Sequence, residues 1–205
     1  MTDSRLKTFR IVAWALVVLA MAGIAALFVL SPRVSGGSSV TTVNSGSPNL
    51  GGPFTLVGDD GRPFPSTALA GKPYAIYFGF TRCGDVCPIT LGRLVKLRKQ
   101  AAGDDKLNIV FVTIDPAHDG PAEVGQYDKA FNAPIIGLTG SQAQIDRVKK
   151  QYGIFAQPSA HPMPGKEMEH SATVLLFDRD GKLAGTITTD EGDAPALDKI
   201  KRLVA

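Results

Sequence analysis

Apolar positions fall into runs of three kinds along this chain, and the period of each run predicts a different element. The first run, Ile11 to Leu30, is 20 residues without a charge. As a helix it would be about 30 Å long, close to the hydrocarbon thickness of a bilayer. Ser31 to Asn49 has no usable period and is rich in Ser, Gly, Thr and Val, which reads as a flexible tether. From Gly51 onward, short continuous apolar runs alternate with runs of helical spacing. Phe54 to Val57 and Arg62 to Phe64 flank Gly58-Asp59-Asp60-Gly61, the pattern of a β-hairpin. Pro73 to Phe80 and Leu107 to Ile114 are short, aromatic or β-branched and apolar throughout, which suits strands buried on both faces.

Helical spacing follows each of these two strands. Ile89, Leu91, Leu94, Val95 and Leu97 predict a helix from about Val86 to Ala102, closed by Gly103. Pro121 to Phe131 predicts a helix with proline at its first position. Pro134 to Leu138 is a short strand, and Ser141 to Tyr152 is a helix with Ser141 as its cap. Ala172 to Phe177 and Lys182 to Thr188 are strands joined by the turn Asp178-Arg179-Asp180-Gly181. A last helix, capped by Asp193, runs to about Leu203. Strands alternating with helices require parallel crossovers, and the hairpins add antiparallel strands. The expected fold class is α/β, a three-layer sandwich with a mixed sheet, as in thioredoxin-like folds, preceded by one transmembrane helix.

Charge refines the picture at the N-terminus alone. The chain has 205 residues, 22 Lys plus Arg and 19 Asp plus Glu. Arg5, Lys7, Arg10 and Arg33 set against Asp3 account for the whole excess, so the remainder is neutral with 18 charges of each sign. A neutral domain excludes the electrostatic footprint of a nucleic-acid binder. The basic cluster before Ile11 keeps the N-terminus in the cytoplasm and sends the rest across the membrane. The run is longer than a signal-peptide core, no clean cleavage motif follows it, and no cysteine lies near its end. The expected organisation is a cytoplasmic N-terminus (1–10), a transmembrane anchor (11–30), a linker (31–50) and one domain (51–205). The domain faces the periplasmic side of a bacterial-type inner membrane, on a single-pass anchor.

The chemistry concentrates on the chain's two cysteines, in Thr81-Arg82-Cys83-Gly84-Asp85-Val86-Cys87-Pro88. They lie between a buried strand and the start of a helix, the end of an α/β sheet where ligands usually bind. A helix N-terminus stabilises thiolates. A structural disulfide across so short a loop would add only about 2 kcal/mol. Two inert, buried thiols are not expected on a loop holding Arg82, Gly84 and Asp85. Four positions apart on an opening helix, the two sulfurs share a side and can hold one ion or oxidise to a bridge. The motif leaves both open.

Of three histidines, His118 and His161 read as solvated loop residues, the latter in a proline-rich loop. His170 stands immediately before a core strand. In thioredoxin-like folds the segment entering this strand packs beside the cysteine turn, where redox members place a cis-proline; no proline stands there. Two thiolates and an imidazole make a soft three-ligand set that suits copper or zinc and falls short of a four-ligand structural zinc site.

The stretches Tyr77 to Pro88, Ile114 to Asp119, Glu169 to Thr173 and Asp178 to Gly181 resemble together the SCO/SenC family of copper chaperones, over about Gly51 to Ala205. The resemblance implies that Cys83, Cys87 and His170 bind copper, as Cu(I) or Cu(II). It also implies a role as a metallochaperone assisting assembly of the copper centre of cytochrome c oxidase, with that enzyme's copper-site subunit and a periplasmic copper donor as partners. Arg82 stands where the family commonly has His, and Gly84 where it often has Pro. Asp115 and Asp119 are expected to order the neighbouring loop, and Asp85 to tune the site or face a partner. His161, Met163 and Met168, in the loop Ala156 to Glu169, add soft groups nearby. The alternatives are a thiol–disulfide reductase with Cys83 as nucleophile and Cys87 resolving, and a peroxidase-like thiol enzyme.

Overall fold

The structure, a computed structural model, describes Trp14, Met21 and residues 50–101 and 103–205. The expected anchor (11–30) and linker (31–50) fall almost wholly outside the described residues. Among these, no helix is long and apolar enough to cross a membrane.

Nine strands and four α-helices follow one another in the domain. They are β1 (Thr55–Gly58), β2 (Pro63–Pro65), β3 (Tyr74–Gly79), α1 (Val86–Ala101), β4 (Asn108–Thr113), α2 (Pro121–Lys129) and β5 (Ile136–Thr139). Then come α3 (Gln142–Gln151), β6 (Ala156–Pro158), β7 (Met168–His170), β8 (Val174–Phe177), β9 (Leu183–Ile187) and α4 (Asp193–Val204). A 3-10 turn, Ser66–Leu69, separates β2 from β3.

Seven strands form one sheet in the order β2-β1-β5-β4-β3-β8-β9. β3, β4 and β5 run parallel, and the antiparallel β8–β9 and β1–β2 hairpins flank them. All six residues of β3 are buried. Side chains alternate between the two faces of a strand, so burial at every position requires cover on both faces. The sheet is therefore the middle layer of three, as the apolar run at Tyr74–Gly79 predicts.

The helices bury one stripe each. α1 hides Cys87, Thr90, Leu91, Leu94, Val95, Leu97 and Arg98, spaced at three and four residues. Ile89, counted in the apolar period of the sequence, lies off that stripe and is exposed. Arg98 is buried because Asp104 pairs with its guanidinium at 3.0 Å and the Pro134 carbonyl accepts from it at 2.7 Å. Ser141 caps α3 as expected, and Gln144 reciprocates to complete a capping box. Asp193 does not cap α4: it is the first helical residue, after Gly192, and its carboxylate instead pairs with Arg93 and Lys96 of α1. That pairing ties the start of α4 to the middle of α1.

The segment Ala156 to Glu169, expected to be a proline-rich loop, is corrected by the structure. Its ends pair as a separate two-stranded ribbon, β6–β7, with Ala156 opposite His170 and Pro158 opposite Met168. Each strand is three residues long, too short to carry a visible period.

Candidate metal centre

β3 ends at Gly79, and the chain turns through Phe80 to Asp85 before α1 begins. Cys83 sits on that turn, its N–H donating to the Phe80 carbonyl at 3.2 Å. Cys87 follows in the first turn of α1, and its backbone N–H donates to the Cys83 sulfur at 3.4 Å. The Cys83 sulfur thus accepts from one of the amides that a helix start leaves unpaired. Gly79 makes room below: a Cβ built there would lie 2.8 Å from the Cys87 sulfur.

A buried carboxylate fixes the turn. Asp119 accepts from the Thr81 N–H at 2.9 Å, the Thr81 hydroxyl at 2.6 Å and the Thr113 hydroxyl at 2.6 Å. Asp115 accepts from the Arg82 guanidinium at 2.6 Å and lies 2.9 Å from His118 Nδ1. Both aspartates thus hold the segment that leads into Cys83. His118 belongs to this outer group, away from the sulfurs.

His170 arrives from β7. Its Nδ1 lies 3.1 Å from the Ser171 carbonyl. A carbonyl can only accept, so Nδ1 carries a hydrogen, and this bond turns Nε2 toward the sulfurs. Nε2 lies 3.6 Å from the Cys87 sulfur. The rings of Tyr77 and Phe80 stand edge-on to the imidazole at 6.2 and 6.0 Å and restrict its rotation. The Sγ atoms of Cys83 and Cys87 and a ring nitrogen of His170 all lie within 4.8 Å of one another.

The thiols correct two expectations. Both are buried, Cys83 at 7% and Cys87 at 0% exposure, although the loop around them is polar. Burial does not make them inert, because the pair titrates asymmetrically. The Cys87 thiol beside Cys83, then His170 and the amides of Asp85 and Cys87, hold the Cys83 thiol down to about 4, against the burial that opposes ionisation. The same contact with Cys83, followed by burial, pushes the Cys87 thiol well up. Tyr77 Oη lies 3.5 Å from the Cys87 sulfur. Before any metal binds, one thiolate and one thiol share the site, rather than two thiolates.

His161 and Met163 are exposed and Met168 is half-buried. All three line a cleft that Cys83 and His170 also border, outside the three-residue cluster itself. Sequence reasoning missed the roles of Gly79 and Tyr77, because what they do depends on neighbours across the sheet.

The SCO1/SenC family model matches residues 42–205. The mitochondrial protein SCO2 of Saccharomyces cerevisiae is 33% identical over 163 residues, covering 78% of this chain and 54% of its own length. This chain thus spans about half the length of that curated relative. Among solved structures, Bradyrhizobium japonicum ScoI with copper bound superimposes with a TM-score of 0.66 at 33% identity, covering 75% of this chain and 99% of that one. Yeast Sco1 with copper bound gives a TM-score of 0.65 at 32% identity, covering 76% of this chain and 88% of that one. The thioredoxin-like α/β fold with a mixed sheet is shared with these structures.

Proposed function

The chain belongs to the SCO1/SenC family, and from that premise we propose that it is a copper carrier, anchored in the membrane by Ile11 to Leu30, that assists assembly of the copper centre of cytochrome c oxidase. One observation carries the reading: three soft donor atoms, from Cys83, Cys87 and His170, converge within 4.8 Å on one side of the domain.

The donor set fits copper. Thiolate and imidazole bonds to a first-row ion are about 2.3 and 2.0 Å, so two such donors in a trigonal array stand roughly 4 Å apart. The 3.6 Å between Cys87 Sγ and His170 Nε2 meets that spacing, and the widest separation needs to close by under about 1 Å. Thiolates select Cu(I) over hard cations, and two or three donors suffice for it. The copper named in the ScoI and Sco1 structures supports the same cargo here.

Each residue has a separable part in loading. Cys83 offers a ready thiolate, the first point of capture. His170 offers Nε2, the ring being oriented by the Nδ1 contact with the Ser171 carbonyl. Cys87 surrenders its proton to solvent as its sulfur joins the metal, so loading releases about one proton per copper. Copper is cargo here, and among the described residues the cluster supplies three donors, which leaves a side open to a recipient. The expected recipient is the copper-site subunit of cytochrome c oxidase, reached from the outer face of the membrane.

The test is a titration of the reduced full chain with Cu(I) against a competing chelator. One copper per chain, weakened by about a hundredfold in His170→Ala, is the expected result. No binding tighter than the chelator in the wild type overturns the carrier reading.

The split between an ionised Cys83 and a protonated Cys87 also favours a second activity of the same residues, thiol–disulfide exchange. The Cys83 thiolate attacks a partner disulfide and releases one partner thiolate. Cys87 then attacks Cys83, giving an intramolecular disulfide and a second partner thiol. Two electrons pass to the partner, and the Cys87 proton ends on a released thiolate. This activity survives His170→Ala, whereas copper binding is weakened about a hundredfold.

A further inference from the structure

His161, Met163 and Met168 border a cleft of about 360 Å³ together with Phe80, Cys83 and His170. Met168 is two residues before His170 on β7, so both side chains leave the same face of the ribbon. His161 and Met163 lie in the connection from β6 to β7, and two backbone bonds shape it. The Ser159 N–H donates to the Glu167 carbonyl at 2.8 Å, and the Lys166 N–H to the Met163 carbonyl at 2.8 Å.

This connection is fastened to the cysteine turn on both sides of Cys83. The Gly84 N–H donates to the Gly165 carbonyl at 3.2 Å. The approach is close enough that a Cβ on Gly165, whose φ is +81°, would lie 2.9 Å from the Gly84 nitrogen. Proline at position 84 would lack that donor. The other neighbour of Cys83, Arg82, lies 3.9 Å from Glu167. The two residues that flank Cys83 thus meet the same loop. Together they place two thioethers and an imidazole beside the dithiol.

We infer that His161, Met163 and Met168 form an outer copper(I) station that receives the ion before Cys83, Cys87 and His170 do, or releases it after them. The inference rests on the copper-carrier reading and adds a second position to it. Thioether sulfur is a soft ligand that selects Cu(I), and the set suits none of the hard cations. None of the three donors brings a negative charge to the ion, so the station binds more weakly than thiolates. The weaker site is the solvent-facing one, which sets a downhill path inward. In the inward step, bonds from copper to the thioethers and to His161 break as bonds to the two sulfurs and His170 form. The Cys87 proton leaves to solvent, and copper stays Cu(I), with no electron transferred.

The test uses the reduced full chain and Cu(I) supplied as a chelate. Cys83→Ser/Cys87→Ser is expected to keep one weakly held copper whose X-ray absorption shows thioether sulfur and imidazole nitrogen. His161→Gln/Met163→Leu/Met168→Leu is expected to keep the tight copper and to load it about tenfold more slowly. His161 and Met163 are exposed and Met168→Leu keeps an apolar side chain of similar volume, so folding is retained and the loading rate remains readable whatever becomes of the serine variant. Loading of the triple variant at the wild-type rate overturns the inference, as does a folded serine variant that binds no copper. A wild-type chain without a tight copper would instead overturn the carrier reading, and the serine variant still reports on the outer station separately.

Discussion

The Nε2 atom of His170 lies 3.6 Å from the Cys87 sulfur, although 83 residues separate them in the chain. The contact depends on two unrelated pieces of structure. Cys87 is fixed by the start of α1 at the end of β3. His170 is fixed by a three-residue strand whose partner residue is Ala156, with the Ser171 N–H donating to the Phe155 carbonyl at 2.9 Å just beyond.

Gly79 governs whether the Cys87 sulfur can reach this position. Gly79→Ala places a methyl 2.8 Å from that sulfur and 3.1 Å from the Phe111 and Tyr77 rings. The expected outcome is destabilisation by about 1–3 kcal/mol, the usual effect of overpacking a core, together with weaker Cu(I) binding. Gly185→Ala in β9, where nothing lies within 4 Å of the added carbon, serves as the neutral control. Equal copper affinity in both variants would contradict the packing argument. Denaturant unfolding and chelator competition read the two effects.

Asp119 holds the cysteine turn through three accepted hydrogen bonds. Asp119→Ala strands two donors of Thr81 and the Thr113 hydroxyl, at a cost of about 3 kcal/mol. Asp119→Asn keeps one acceptor oxygen and should recover part of the loss. Hydrogen exchange at the Thr81 amide is expected to accelerate in both, more in the alanine variant. Unchanged exchange there would show that the carboxylate does not hold the turn.

The two thiols should react in a fixed order. With the Cys83 thiol held down to about 4, it is already a thiolate at pH 6, so its alkylation rate should vary little from pH 6 to 8. Cys87, raised by Cys83 and by burial, should stay unmodified over that range. Peptide mapping after brief treatment with a small alkylating reagent identifies the first site. Preferential labelling of Cys87 would reverse the assignment of nucleophile and resolving thiol.

Asp128 in α2 makes stability depend on pH. Burial, and to a smaller degree the charge of Asp59, push its carboxyl up to about 7, and neither oxygen has a hydrogen-bond partner among the described residues. In the unfolded chain it ionises near about 3.9. Between these values the unfolded state holds fewer protons than the folded one, so stability falls as pH rises from about 4 through 7. Asp128→Asn cannot ionise and should be more stable than wild type at pH 8 by up to about 4 kcal/mol. The difference should shrink toward pH 4. Parallel stability curves for the two proteins would rule out this ionisation as the cause.

Some of this protein was written in local pattern. The buried runs at β3 and β4, the stripe of α1, the capping box of α3 and the turn between β8 and β9 all follow from period and turn chemistry, which act over a few residues. The cysteine pair at a helix start was legible for the same reason. Local pattern did not reveal the β6–β7 ribbon, because three-residue strands have no period. It did not show that Asp193 bonds to α1 instead of capping its own helix, because either use suits an aspartate at a helix start. It did not show that the thiols are buried and unequally ionised, because burial and the proton shared between two sulfurs depend on what packs around them. The sequence by itself determined which donor groups exist and on which elements they ride. Only the tertiary structure decided that the His170 ring comes within 3.6 Å of the Cys87 sulfur, because convergence of side chains 83 residues apart is a property of strand order and ribbon register.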